Sequence, residues 1–228
     1  MPEQLSLPLW RPSESLAARI DYTVVTPSVG ADQLTKHCEE AVSFGFHSLC
    51  VNGGWVRLCR ERLSGTNVKV SAVVGFPIGA QATRSKAFEA AAALDDGASE
   101  IDMVLSAGKL KDGDHEAVER DIAAVVLAVQ GGALIKVILE TGSLTDEQKK
   151  LAARIAETAG ADYVQTSTGY GVTGATEADV RLLRAELSPT TGVKASGGVR
   201  DAAMAIALLQ AGAHRIGSSS GVAIVNGT

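Results

Sequence analysis

Aromatic residues make up only 4% of this 228-residue sequence. Stacking platforms for nucleic-acid bases need clustered rings, so that class is excluded. Cysteine is also scarce: Cys38, Cys50 and Cys59 stand alone, with no C-x-x-C spacing. They are too few for a disulfide framework and fit a reducing compartment. His37, His47, His115 and His214 show no H-E-x-x-H or other ligand spacing, so no metal and no cofactor is expected. The longest clean apolar run covers residues 122–129, far short of the about 20 residues that cross a bilayer. Residues 1–11 lack the basic start and apolar centre of a signal peptide. A cytoplasmic protein with no membrane partner is expected. Neither charge sign dominates, since 21 Lys+Arg against 26 Asp+Glu leave −5. Such a chain has no broad surface for releasing phosphate counterions, so no nucleic-acid partner is expected. One local phosphate pocket stays open to it.

Hydrophobic residues reach 46% and charged residues 21%, near the globular average, with enough apolar side chain for a sizeable core. At roughly 100–200 residues per domain, the length allows one large domain or two small ones. No Pro/Ser linker, charge block or low-complexity segment divides the chain. Short β-branched runs alternate with longer Ala-rich helical patterns. Strands are predicted over 20–25, 47–51, 68–74, 99–105, 134–140, 162–166, 192–195 and 214–216. Helices are predicted over 31–44, 54–63, 81–96, 114–130, 145–159, 176–187 and 201–211, with a short tail after the last strand. Capping hydroxyls before acidic first turns mark the starts at Thr145 and Thr176. Strict alternation predicts an α/β fold with a parallel sheet. Eight units favour closure into a (β/α)8 TIM barrel over an open doubly wound sheet. The barrel is predicted over residues 16–228, behind a loose N-terminal arm at 1–15.

Strand side chains alternate faces, and the outer face of a barrel must be apolar to take helices. Ile101, Met103 and Leu105 then point outward and Asp102 inward. Ile135, Val137 and Leu139 point outward and Lys136 inward. The same parity sends Asp21, Cys50, Gln165 and Lys194 inward. An acid and two lysines thus meet in an interior expected to be otherwise aliphatic. Buried charge must pair or neutralise. Such a cluster either fills the barrel or forms an acid/amine site at the C-terminal mouth, where barrel enzymes work. Cys50 reads as a packing residue on the wall of that site, because no histidine is placed to activate it.

Three loops of small residues follow the last three strands: Thr166-Ser167-Thr168-Gly169, Ser196-Gly197-Gly198 and Gly217-Ser218-Ser219-Ser220-Gly221. Glycine lets backbone N–H groups approach an anion, and hydroxyls add donors. The three loops are therefore the expected seat of a phosphate. Gly169-x-Gly171-x-x-Gly174 matches a dinucleotide fingerprint. The acid needed about 20 residues on is missing, since Lys194 stands there, so that function is excluded.

Several stretches, spread over residues 16–224, match one known family. They include Ile20-Asp21-Tyr22-Thr23, Val74-Gly75-Phe76-Pro77-Ile78-Gly79, Lys86-Ala87-Phe88-Glu89, Glu100-Ile101-Asp102-Met103-Val104, Lys136-Val137-Ile138-Leu139-Glu140-Thr141, Thr166-Ser167-Thr168-Gly169 and Val193-Lys194-Ala195-Ser196-Gly197-Gly198-Val199-Arg200. The chain resembles the deoxyribose-phosphate aldolases. That resemblance implies a barrel enzyme, a phosphorylated sugar substrate and a homodimer. It implies Lys194 as a second lysine that tunes an imine-forming lysine, Asp102 as its partner in proton transfer, and Thr168, Gly169, Gly197, Gly198, Ser219 and Ser220 as the phosphate seat.

The imine lysine itself is replaced by Gln165, in the family's K-T-S-T-G stretch. A carboxamide nitrogen is delocalised and forms no Schiff base. Thr26, Tyr22, Gly53-Gly54 and Ser106-Ala107-Gly108-Lys109 also differ from the family pattern and are expected around the same mouth, as in a diverged natural relative. Three functions follow. In the first, Asp102 and Lys194 perform acid–base chemistry on a carbonyl or enolate of a sugar-like, phosphorylated substrate positioned by Gln165, with Asp21 and Lys136 in the same cluster. In the second, the imine moves to Lys194 or Lys136. In the third, the chain is an inactive sugar-phosphate binder.

Overall fold

The computed structural model describes residues 6–227. Eight parallel strands run β1 Ile20–Val24, β2 Ser48–Asn52, β3 Lys69–Val74, β4 Glu100–Val104, β5 Leu134–Ile138, β6 Tyr163–Gln165, β7 Gly192–Ser196 and β8 Arg215–Ser218. Each pairs with the next, and β8 pairs with β1 through Asp21 opposite Gly217, so the barrel is closed. The open-sheet alternative is thereby removed.

The returning helices are α1 Ala31–Phe44, α2 Val56–Arg62, α3 Thr83–Asp95, α5 His115–Val129, α6 Asp146–Thr158, α7 Glu177–Glu186 and α8 Ala202–Gln210. Two more were not expected: α4 Ala107–Lys111, after β4, and α9 Gly221–Asn226, in place of a tail. The helix predicted from residue 54 starts instead as a 3-10 turn at Gly53–Trp55, where two glycines disfavour an α-helical start.

Helix α5 shows why these segments fold as they do. Val118, Ile122, Val125 and Val129 recur at helical spacing and are all fully buried. Each contributes roughly 1.5–3 kcal/mol by leaving water. Asp114 caps the helix by accepting from the Ala117 N–H at 3.1 Å, and Gln130 ends it in a left-handed conformation. The caps predicted at Thr145 and Thr176 form: Thr145 exchanges hydrogen bonds with Gln148, and Thr176 accepts from the Asp179 N–H.

The aliphatic outer face of the strands is sealed under this helical ring, with Ile101, Met103, Val137, Val193 and Ala195 at 0% exposure. Of the arm expected at 1–15, residues 1–5 lie outside the described residues. Within 6–15, the Leu7 N–H donates to the Pro189 carbonyl and the Arg19 guanidinium donates to the Pro8 carbonyl. This segment is pinned at the N-terminal end of the strands, opposite the mouth. Among the described residues, no helix is long and apolar enough to cross a membrane.

Candidate active site

Strand parity places Asp21, Asp102, Lys136 and Lys194 inside the barrel, as expected, and register brings them together. Asp102 and Lys136 are neighbours across β4 and β5, and Gln165 and Lys194 across β6 and β7. Lys136 Nζ lies 2.7 Å from Asp102 Oδ1 and 2.6 Å from Glu100 Oε2, and donates to Ser71 Oγ at 3.2 Å. Lys194 Nζ lies 2.6 Å from Asp102 Oδ2 and 2.8 Å from Asp21 Oδ2. Arg215 reaches Asp21 Oδ1 at 3.1 Å and Glu100 Oε1 at 3.7 Å.

The interior is thus not aliphatic apart from one acid and two lysines. Glu100 and Arg215 join them, with the Ser48 and Ser71 hydroxyls bonded to Asp21 and Asp102. Both charged additions begin their strands, two residues before inward positions. Both lie inside the strands predicted at 99–105 and 214–216, so the parity that sends Asp102 inward also sends Glu100 there.

Three carboxylates face three cations, so the cluster balances. Burial alone would push Asp21 and Asp102 upward, but the Lys194 and Lys136 ammoniums outweigh it and hold both below the usual carboxylate range. Glu100 is brought to about 2, with Lys136 and His47 overcoming its burial. The same pairing runs the other way for the amines. Burial would lower Lys136 and Lys194, yet Asp102 and Asp21 raise both above the ordinary lysine value. Both lysines are therefore ammonium ions at neutral pH.

Above this cluster, at the C-terminal ends of the strands, opens a cavity of ≈ 280 Å³. Its floor carries Cys50, Asp102, Gln165 and Lys194. Asp21 and Lys136, expected at the mouth, do not line it: they lie one layer lower at 0% exposure and hold Lys194 and Asp102 from beneath. Cys50 forms wall, as expected. Its thiol sits 3.8 Å from Asp102 Oδ2, and burial, with that carboxylate, pushes it up to about 12.

The polar wall holds Thr168, Gly169, Gly197, Gly198 and Ser219, all expected there. Ser220 is not part of it. Its N–H donates to Ser218 Oγ as the chain turns into α9, and Ser218 lines the cavity instead. Gly197 and Gly198 carry successive positive φ values of 92° and 75°, a conformation that glycine adopts without strain and that brings the backbone to the cavity wall with no Cβ. The glycines of the dinucleotide-like stretch pack loops together. A Cβ on Gly174 would fall 2.1 Å from the Gly197 oxygen, and one on Gly171 would fall 2.4 Å from Glu140 Oε1.

Two contributors were missed by the sequence reading. Glu140, left-handed at φ 58°, accepts from both the N–H and the hydroxyl of Thr168 and so pins the loop after β6. Arg200 brings a cation to the cavity rim next to Gly197 and Gly198. Its signal was its place two residues after Gly198.

Comparison with known proteins settles the family. Residues 16–227 match the model of the DeoC/LacD family aldolases. The chain belongs to that family. It is 53% identical over 213 residues to a deoxyribose-phosphate aldolase of Geobacillus sp. (strain WCH70), covering 93% of this chain and 96% of the relative. It is 51% identical to one from Thermococcus gammatolerans, covering 93% and 96%. Among solved structures, the aldolase QR15 superposes with a TM-score of 0.89 at 35% identity, covering 92% of this chain and 94% of that one. The tetrameric deoxyribose phosphate aldolase of Aeropyrum pernix superposes with a TM-score of 0.86 at 34% identity, covering 92% and 89%.

Set on this aldolase barrel, the positions expected to depart around the mouth separate. Thr26 and Gln165 line the cavity. Tyr22, Gly53, Gly54 and the 106–109 stretch do not. Tyr22 points outward, because its neighbour Asp21 points inward; its ring packs on Phe46 and its hydroxyl donates to Glu40 Oε2 at 2.8 Å. Gly53 and Gly54 form the 3-10 turn before α2, and Ser106 precedes α4. The expected ring of changes reduces to the two cavity positions.

At the opposite end of the interior, ligand-type atoms of Asp21, His47 and Glu100 lie within 4.8 Å of one another. Lys136, Lys194 and Arg215 already neutralise that group. All three cysteines are buried and free.

Proposed function

We propose that this chain is an aldolase-family lyase acting on a phosphorylated, sugar-like carbonyl compound or its enol by proton transfer, with no imine at Gln165. The observation that carries this is the balanced interior charge. The resemblance assigns position 165 to the imine lysine, and a carboxamide cannot replace it. Lys194 and Lys136 do not replace it either, because each ammonium is clamped by two or more carboxylates. Forming an imine on either would require stripping a proton from a pair that burial strengthens.

The residues present support a different division of labour. Lys194 lines the floor, has three N–H bonds and uses two on Asp21 and Asp102. The remaining one is available to a substrate oxygen and stabilises negative charge developing there. Asp102 and Asp21 hold the ammonium in place, and Asp102 is the nearest base for a proton moving through Lys194. The Gly197-Gly198 turn, Thr168, Ser219 and Arg200 provide donors and positive charge for a phosphate. A cytoplasmic setting fits the free cysteines, and homo-oligomeric assembly follows the family resemblance.

The test is turnover in heavy water. A panel of aldose and ketose phosphates is followed by NMR for deuterium uptake and for C–C cleavage. Wild-type protein should show one or both, and Asp102→Asn, with its fold verified by circular dichroism, should lose at least about 100-fold. Binding without turnover would establish the inactive-binder alternative. Turnover unchanged in Asp102→Asn would overturn the assignment.

A further inference from the structure

Gln165 holds a hydrogen-bonding atom that nothing in the protein satisfies. The residue is 5% exposed, and its Oε1 is buried without a partner. Its orientation is fixed by a short chain of bonds. Ser196 Oγ donates to the Ser167 carbonyl at 2.5 Å. A carbonyl only accepts, so the single Ser196 proton is committed there. Ser196 must then accept from Gln165, and Nε2 donates to it at 2.8 Å. Flipping the amide would set Oε1 against an oxygen with no proton to give. The carboxamide oxygen is therefore the end left for the cavity, one strand over from Lys194, which lines the same floor.

The floor thus carries one donor, Lys194, and one unpaired acceptor, Gln165 Oε1, on adjacent strands. We infer that it selects a hydroxyl on the substrate, at the end remote from the phosphate. This rests on the reading of the mouth as a sugar-phosphate site. A hydroxyl donates to Gln165 Oε1 and accepts from Lys194 Nζ with a single atom. A carbonyl oxygen satisfies Lys194 and leaves Oε1 orphaned, whatever the second Nε2 proton does. An ammonium satisfies Oε1 but sits against the Lys194 charge. The favoured ligands are sugar phosphates bearing an alcohol, a hemiacetal hydroxyl or an enol hydroxyl at that carbon. The favoured form is not the open-chain aldehyde.

Calorimetry with two open-chain probes tests this: 2-deoxyribitol 5-phosphate, with a terminal hydroxyl at C1, and its 1-deoxy analogue, with a methyl group there. The alcohol should bind wild-type protein at least about tenfold more tightly, because the analogue leaves a buried acceptor unpaired. That preference should shrink severalfold in Gln165→Leu, where only the Lys194 ammonium still reaches the hydroxyl. The wild-type comparison stands without the variant, should the variant fail to fold. Equal binding of both probes to wild type would overturn the hydroxyl inference while leaving the phosphate site standing. Failure of both to bind, at concentrations where inorganic phosphate also fails, would overturn the site itself and the inference with it.

Discussion

A lysine introduced at position 165 would stand beside the Lys194 ammonium, in a cluster whose carboxylates are already matched. Burial and that like charge would both depress its pKa, the condition for a nucleophilic amine. Gln165→Lys is therefore predicted to raise retro-aldol turnover of 2-deoxyribose 5-phosphate by at least about 100-fold over wild type, or about 2.7 kcal/mol of barrier. A coupled assay for the released aldehyde reads this directly. Asp102 answers to a different quantity. Its oxygens contact Lys136 and Lys194, at 2.7 and 2.6 Å. Removing its charge leaves two buried ammoniums with fewer partners, a loss of roughly 3–5 kcal/mol. Asp102→Asn should show this as a lowered urea midpoint, separate from its effect on turnover.

The loop after β6 is held by a strained residue. Glu140 adopts φ 58° and clasps Thr168 through its carboxylate. Glu140→Ala should free that loop and weaken 2-deoxyribitol 5-phosphate binding about tenfold, a typical loss when charged hydrogen bonds are removed. Far-UV circular dichroism should be unchanged. Strand periodicity made the inward set Asp21, Cys50, Asp102, Lys136, Gln165 and Lys194 legible in the sequence, because period two survives even in short strands. The same reasoning missed Glu100 and Arg215, although both lie inside the strands predicted at 99–105 and 214–216, because parity was followed only to Asp102 in the first and not applied in the second. It missed α4 and α9 because helices of 5 and 6 residues span too few turns to show a period. It placed Ser220 at the mouth because neighbouring serines look alike, whereas the turn into α9 leaves Ser218 and Ser219, but not Ser220, on the cavity. The Glu140–Thr168 clasp and the Gln165–Ser196–Ser167 chain join side chains and backbone of different units, a register between strands that no single-segment pattern encodes.

The closed barrel makes its stability depend on pH in a defined way. Glu100 falls to about 2, and Asp21 and Asp102 are lowered too, in the folded state. Their contribution is fully present above the unfolded carboxylate values and is lost as pH falls through the folded ones. Lys136 and Lys194 are raised, so their contribution is present below about 10.5 and lost at higher pH. His214 adds a step of its own. Burial first, and the nearby Arg184 second, bring it down to about 4, and its unprotonated Nδ1 accepts from the Val193 N–H at 3.1 Å. Between about 6.5 and 4 the unfolded chain takes up this proton and the folded one does not, so stability falls as pH falls, by on the order of 2–3 kcal/mol. Urea midpoints against pH should plateau from about 7 to 10 and decline on both sides, with the acid decline beginning near the histidine range.

The claim on which the rest stands is that neither interior lysine, Lys136 or Lys194, has an amine free to form an imine. Borohydride trapping with 2-deoxyribose 5-phosphate and with acetaldehyde, mapped by intact-protein and peptide mass spectrometry, tests it most directly. Wild-type protein should carry no adduct at Lys136 or Lys194, while Gln165→Lys, treated in parallel, should carry one at position 165. An adduct on Lys194 or Lys136 of the wild-type chain would contradict the account and show that the imine had moved.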